Sequence, residues 1–169
     1  PFLLTELLLP LVEKERKGRI VNVSSVVHAD SPALNLSTID SQEGFDAAIA
    51  YSKSKLANVM HARELTRRLR AKGNNNVTVN ALHPGVIPTE LLRRMAIWVK
   101  IFLVVVRFFL KTRRDGAQTS LYLALSKEVE NVSGGYFQDC HRHPEQPLAK
   151  DDLACMQLYD YSLKTVGLA

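Results

Sequence analysis

The sequence predicts an α/β protein in which helices flank a parallel β-sheet. Two short runs rich in β-branched residues, 19–25 and 77–82, have the composition of buried strands. Helical patterns at residues 2–16 and 48–72 precede these runs, so that helices and strands alternate along the chain. That order is typical of parallel sheets, because the helix between two strands covers a face of the sheet. The 169 residues are expected to form a single domain.

The first helix, predicted at residues 2–16, carries leucines at helical spacing. Pro10 is expected to kink this helix, and Gly18 is expected to end it after a charged tail. The first strand follows, and a polar loop then covers residues 26–47. A loop of that length inside a compact domain usually has a function.

The second helix, at residues 48–72, presents an apolar face and ends at Gly73. The second strand leads into a sharp turn, His83-Pro84-Gly85. Beyond the turn we predict a short helix at residues 89–95 and another helix at 116–126. A short strand at 134–138 and a C-terminal helix at 150–164 follow.

Residues 95–110 are strongly apolar but are interrupted by Lys100 and Arg107. The run is too short and too charged for a confident membrane span. Its two cations lie seven residues apart, near one helix face, and further basic residues flank the run. Two interpretations stay open. The run is either a helix that lies in the lipid headgroup region or a buried helix that covers a substrate pocket. In both cases it forms the centre of a wider apolar segment, residues 90–112.

Composition narrows the class of protein. The hydrophobic fraction of 46% and the charged fraction of 23% are those of a globular protein. The net charge of +5 comes from scattered basic residues without interleaved aromatic side chains, so we expect no nucleic-acid partner. Two cysteines, Cys140 and Cys155, give no disulfide framework, which is compatible with an intracellular location. The tight run Cys140-His141-Arg142-His143 cannot easily surround one ion, and we predict no metal site.

Tyr51 and Lys55 form a Tyr-x-x-x-Lys motif near the start of the second helix. Residues four apart on a helix lie on the same face. A cation beside a phenol favours the phenolate, and such a pair suits proton transfer at a carbonyl or an alcohol. Taken alone, the motif is more often a surface tyrosine beside a solvated lysine.

Two further features raise the importance of this motif. Ser24 and Ser25 end the first strand, and Pro84-Gly85 follows the second. Ligands of parallel sheets bind beyond the carboxyl ends of the strands, so these residues are expected at the same edge as the motif.

Two histidines near this edge are interpreted structurally, His28 as a solvated loop residue and His83 as a turn residue. Asn58 lies on the motif's helix and receives no chemical role.

Together these motifs resemble the short-chain dehydrogenase/reductase family, and within it the retinol dehydrogenase-like branch. The matching segments are residues 18–25, 50–58, 77–85 and 134–140. The resemblance covers essentially the whole chain but only the C-terminal part of the family's domain. It implies the C-terminal part of a Rossmann-like, doubly wound parallel sheet. The family's glycine-rich turn, Thr-Gly-x-x-x-Gly-x-Gly, does not occur in the sequence. We therefore interpret residues 1–169 as one partial domain without the N-terminal dinucleotide-binding strands.

The resemblance implies catalytic roles for three residues. Ser25 would hydrogen-bond the substrate oxygen, Tyr51 would act as acid and base, and Lys55 would favour ionisation of Tyr51. The expected function is that of an NAD(P)-dependent oxidoreductase. It would interconvert an apolar alcohol and its carbonyl, such as a retinoid, a steroid or a lipid aldehyde, by hydride transfer.

The resemblance also implies a cofactor site and partners. The cofactor would be NADP or NAD, with NADP favoured by the branch. Its nicotinamide end would be held by Tyr51, Lys55, Pro84, Gly85, Ile87 and Thr89. Expected partners are a hydrophobic small molecule, a second copy of the chain, and a membrane surface contacted through 95–110. The branch suggests the endoplasmic reticulum or another membrane. The alternative function is a truncated, catalytically silent module that docks on membranes or dimerises through its long helix.

Overall fold

The computed structural model describes residues 1–86 and 111–169 and arranges them as a four-stranded sheet with helices around it. The helices are α1 (Phe2–Val12), α2 (Ala47–Ala71), α3 (Arg113–Leu125) and α4 (Asp152–Thr165). The strands are β1 (Gly18–Val23), β2 (Val77–His83), β3 (Tyr136–Gln138) and β4 (His141–Arg142). The predictions for Ile87, Thr89, the helix at 89–95 and the apolar run at 95–110 lie outside the described residues.

The strands follow the order β1-β2-β3-β4 across the sheet. β1 and β2 are parallel, with Gly18 opposite Val77 and Val23 opposite Leu82. β3 is parallel to β2, and the two-residue β4 runs antiparallel to β3. The predicted parallel, helix-flanked sheet is confirmed. β4 was not predicted, because two exposed residues leave no hydrophobic pattern in the sequence.

β2 occupies the centre of the core, and every one of its residues is buried. Val77, Val79 and Ala81 pack into the larger apolar cluster, which α2 and α4 complete. Leu82 joins a smaller cluster with residues of α3 and β3. A strand that contributes to two clusters has no solvent-facing side, which is why even its polar residues Thr78, Asn80 and His83 are buried.

α1 is shorter than predicted and ends at Val12. The charged residues that follow form turns, because they supply no apolar face to hold another helical turn against the core. β1 then begins at Gly18, where the chain passes close to the end of α1. A Cβ atom at Gly18 would lie 2.6 Å from Cγ1 of Val12 and 2.9 Å from its carbonyl oxygen. The glycine therefore allows the close approach of helix and strand rather than ending the helix.

α2 begins at a side-chain cap and packs along the sheet. The Asp46 carboxylate accepts hydrogen bonds from the backbone N–H groups of Ala48 and Ile49 at 2.8 Å. Such a cap satisfies N–H groups that the first turn of a helix leaves without partners. None of the helices among residues 1–86 and 111–169 has the length and hydropathy needed to cross a bilayer.

His28 is buried, and the prediction of a solvated loop histidine is wrong. It lies in a short 3₁₀ helix, Val26–Asp30, and is 2% exposed. Its Nδ1 lies 2.8 Å from the Ser25 carbonyl oxygen, and its Nε2 accepts a hydrogen bond from the Gln146 backbone N–H at 3.4 Å. Its ring packs on Tyr136, with 4.4 Å between centroids. These contacts join the loop after β1 to the segment before α4, a long-range pairing that a local pattern does not reveal.

Burial lowers the pKa of the His28 imidazole below its ordinary value of 6.5, against the opposing effect of the Ser25 carbonyl. The unfolded chain therefore binds a proton at pH values where the folded chain does not. Stability contributed by the neutral ring is present above about pH 6.5 and is lost as the pH falls toward the lower folded pKa.

We expect His28→Gln to weaken the pH dependence of unfolding, because glutamine cannot titrate. Urea unfolding between pH 5 and 8 should show wild-type stability falling more steeply with acidification than that of the variant. Burial and Lys111 also lower the pKa of His83, so part of the slope should remain. His143→Gln, at an exposed position, serves as the control. Identical slopes for wild type and His28→Gln would contradict this assignment.

Candidate active site

Tyr51 and Lys55 lie together on α2, one turn apart. The Lys55 Nζ atom is 5.3 Å from the centroid of the Tyr51 ring. Tyr51 is 44% exposed, so its phenol can be reached from solvent. The ammonium is thus a cation–π neighbour of a reachable phenol, at a distance where its charge acts on the ring.

Lys55 also contacts the end of β1. Its Nζ donates to the Val23 carbonyl oxygen at 3.3 Å. The Lys55 carbonyl, for its part, accepts a hydrogen bond from Ser24 Oγ at 2.7 Å. Both bonds join the same turn of α2 to the carboxyl end of the same strand. The position of the ammonium is therefore set by the strand end as well as by the helix.

Ser25 follows Ser24 at the point where the chain leaves β1. It is 8% exposed, and its Oγ accepts a long hydrogen bond of 3.5 Å from the Val27 N–H at the start of the 3₁₀ helix. Its carbonyl is the one that His28 contacts. Within the described part of the chain, Ser25 and Tyr51 share no hydrogen bond, so any joint action would be through a molecule bound between them.

Pro84 and Gly85 follow β2 at the same edge of the sheet. Gly85 has φ +91°, a left-handed conformation that favours glycine, and a Cβ atom there would lie 2.5 Å from Cδ of Lys111. The Val86 carbonyl accepts a hydrogen bond from the Lys111 N–H at 3.1 Å, so residues 86 and 111 are neighbours. The Lys111 side chain forms an ion pair with Asp139, and this hydrogen bond holds the pKa of that carboxyl below its usual range.

The structure therefore places Ser25, Lys55 and the Pro84-Gly85 turn beyond the carboxyl ends of two adjacent parallel strands. Asn58, which sequence reasoning left without a role, also reaches this edge. Its Nδ2 donates to the Val23 carbonyl at 3.2 Å, the same oxygen that Lys55 contacts. The available signal was its spacing, three residues after Lys55 and hence on the same helix face. The ends of β1 and β2 thus hold the Ser25 hydroxyl, the Lys55 ammonium with its neighbouring phenol, and a glycine turn.

A family model described as short chain dehydrogenase matches residues 1–100. Human retinol dehydrogenase 14 is 44% identical over 170 residues, covering 99% of this chain and 49% of that protein. Human retinol dehydrogenase 12 is 39% identical over 167 residues, covering 99% of this chain and 51% of that protein. The chain thus spans about half the length of the curated relatives it matches.

Solved structures share the fold. An uncharacterised protein from Mycobacterium paratuberculosis has a TM-score of 0.69 and 25% identity, with 98% of this chain and 55% of that chain covered. The carbonyl reductase Sniffer of D. melanogaster has a TM-score of 0.54 and 20% identity, with 86% and 52% covered; at that identity the likeness shows the fold alone. Because the family model matches more than half of its residues and the retinol dehydrogenases align with nearly all of them, the chain belongs to the short-chain dehydrogenase family.

Proposed function

We propose that the protein carrying this chain is an NAD(P)-dependent oxidoreductase that interconverts an apolar alcohol and its carbonyl. The observation that carries the proposal is the Lys55 ammonium, which lies 5.3 Å from the Tyr51 ring at the carboxyl end of β1. The similarity to retinol dehydrogenases 14 and 12 supports the same reaction class.

In this proposal Tyr51 exchanges a proton with the substrate oxygen. Tyr51 accepts this proton in one direction of the reaction and donates it in the other. Ser25 orients the same oxygen by a hydrogen bond and stabilises negative charge that develops on it. The nicotinamide, when bound, supplies or accepts the hydride.

The residues at this edge fit the nicotinamide end of such a cofactor. An ammonium has three N–H donors, and Lys55 uses one of them on Val23 within the described residues, which leaves donors for ribose hydroxyls. Gly85 adopts the left-handed conformation that the turn after β2 requires, and the Lys111 side chain packs in the space left by its missing side chain. Ile87 and Thr89 complete the proposed nicotinamide site. We favour NADP, on the branch resemblance alone.

The proposed substrate is hydrophobic, in the range of a retinoid, a steroid or a lipid aldehyde. The apolar segment 90–112 would line or cover its pocket, and residues 95–110 would also contact a membrane surface. A membrane-bound location, such as the endoplasmic reticulum, is part of this proposal.

A silent interaction module is the second candidate. One observation favours it: α1 exposes five leucines to between 42% and 64%, namely Leu3, Leu4, Leu7, Leu8 and Leu11. An exposed apolar patch of this kind commonly marks a contact surface. Under this candidate the chain would dimerise or dock without binding a nicotinamide.

We expect Tyr51→Phe to reduce NADPH- or NADH-dependent turnover of retinal or a steroid carbonyl by about 10²- to 10⁴-fold, because the proton donor is lost. The assay uses the full-length protein, with Tyr161→Phe on α4 as the matched control. Unchanged turnover in Tyr51→Phe would show that this phenol is not the acid or base.

Binding of the cofactor separates the two candidates. We expect the full-length protein to bind NADPH or NADH and Lys55→Met to weaken that binding about tenfold, because charge-assisted hydrogen bonds to the ribose are lost. Lys53→Met is the matched control, since Lys53 lies on the same helix beside the loop pocket formed by residues 38–46. Titration calorimetry measures both constants. Absence of binding in the wild type would favour the silent module.

The membrane contact is tested by flotation with anionic vesicles. We expect the double variant Lys100→Glu/Arg107→Glu to float several-fold less than wild type, because cations attract anionic headgroups. Lys14→Glu/Arg16→Glu makes the same charge change at exposed positions elsewhere. Equal losses in the two variants would mean that net charge alone, rather than residues 95–110, governs the association.

A further inference from the structure

We propose that Lys111 is a positioning residue, which holds the Pro84-Gly85 turn in place while Asp139 fixes the far end of its side chain. The inference rests on the proposed function, because the turn is part of the proposed nicotinamide site. Three contacts carry it: one from the backbone of Lys111, one from its aliphatic stem and one from its ammonium.

The backbone and the stem of Lys111 bear on the turn itself. The Lys111 N–H donates to the Val86 carbonyl oxygen at 3.1 Å, directly after Gly85. The stem lies against the Gly85 backbone: a Cβ atom at this glycine would be 2.5 Å from Cδ of Lys111, 3.0 Å from Cε and 3.3 Å from Nζ. The end of the side chain therefore runs across Gly85, through space that a side chain at position 85 would fill.

The ammonium fixes the end of the side chain. It forms an ion pair with the Asp139 carboxylate, directly after β3. The hydrogen bond from Lys111 holds the pKa of the Asp139 carboxyl below its usual range, so the pair is ionised in neutral solution. A lysine stem has many rotamers, and only some of them lie across the turn. The ion pair keeps the stem in such a rotamer.

Asp139 itself is presented by a tight turn. Asp139 and Cys140 are the two residues between β3 and β4, and their φ angles are 53° and 62°. Two positive φ angles characterise the type I′ hairpin turn, in which glycine is preferred at the second position. Cys140 occupies that position, and its N–H donates to Thr119 Oγ1 of α3 at 3.3 Å. Such a strained backbone persists where the surrounding structure holds it, so the carboxylate starts from a fixed place.

A held turn favours cofactor binding because the ligand does not have to order it. Gly85 has φ +91°, and a glycine that is not held loses more conformational freedom on binding than any other residue would. Rigidity present before binding removes that cost. Ser25 and Tyr51 lie on other elements and keep their own contacts. Loss of Lys111 should therefore weaken cofactor binding more than it slows the chemical step.

The test uses the full-length protein and separates the stem from the charge. Lys111→Met keeps an unbranched stem but cannot pair with Asp139, Lys111→Ala loses both, and Lys111→Arg keeps both. An exposed ion pair adds little to folding stability, so the variants should fold.

Cofactor affinity is the first readout, measured by calorimetry with NADPH or NADH. We expect about threefold weaker binding by Lys111→Met and about tenfold weaker binding by Lys111→Ala, with Lys111→Arg within about twofold of wild type. kcat should change by less than about twofold in each, since the reacting groups are untouched. Lys17→Met breaks an exposed ion pair with Glu130, before the start of β1, and is the matched control.

The second readout needs no cofactor. NMR relaxation of ¹⁵N-labelled protein gives the order parameter of the Gly85 amide, which we expect to fall from about 0.85 in wild type to about 0.6 in Lys111→Ala. An unchanged order parameter in Lys111→Ala would overturn the proposal, and so would full cofactor affinity in that variant or an equal loss in Lys17→Met. Lower order in variants of a protein whose wild type binds neither cofactor would support the hold of Lys111 on the turn and reject the proposed function.

Discussion

The attachment of α2 to the carboxyl end of β1 is the interaction on which the site depends. Ser24 donates to the Lys55 carbonyl at 2.7 Å, and Asn22 donates to the Asn58 carbonyl at 3.3 Å. Helix carbonyls already accept one backbone bond each, and these two use their second lone pair for the strand. A shift of α2 along β1 would break both bonds and carry Tyr51 away from the strand end. The register of one helix on one strand thus sets the geometry of the candidate chemistry.

The far end of α2 is fixed by a buried carboxylate. Glu64 is 1% exposed, and it accepts hydrogen bonds of 2.7 Å from both Arg67 and Arg68. Burial raises the pKa of this carboxyl, but the two arginines outweigh it and hold the pKa below the usual range. Arg68 also bonds Asp160 of α4 at 2.5 Å. Removing either arginine would leave the buried Glu64 carboxylate without one of its hydrogen-bond donors. The network therefore constrains which face of α2 can pack against α4.

Local patterns were enough to predict the three parallel strands, the long helix and the Tyr51–Lys55 pair, because each depends on spacing along the chain. The end of α1 at Val12, the burial of His28 and the contact of Asn58 with Val23 were not predictable in this way. His28 is buried by partners more than a hundred residues later, and a histidine in a polar loop carries no sign of them. Asn58 contacts a strand-end carbonyl whose direction only the folded sheet determines. Resemblance to a family identified the residues, and the structure supplied their mutual supports.

The position of β2 has a consequence for the dynamics of the molecule. All seven of its residues are buried, and it is hydrogen-bonded between two parallel neighbours. Exposing its amides to solvent requires displacing β1 or β3 together with the apolar clusters on both faces. Opening such a strand therefore costs nearly as much free energy as unfolding the whole core. The turn at Pro84-Gly85 continues directly from β2, so its first residues are anchored to a strand that opens only at high free-energy cost.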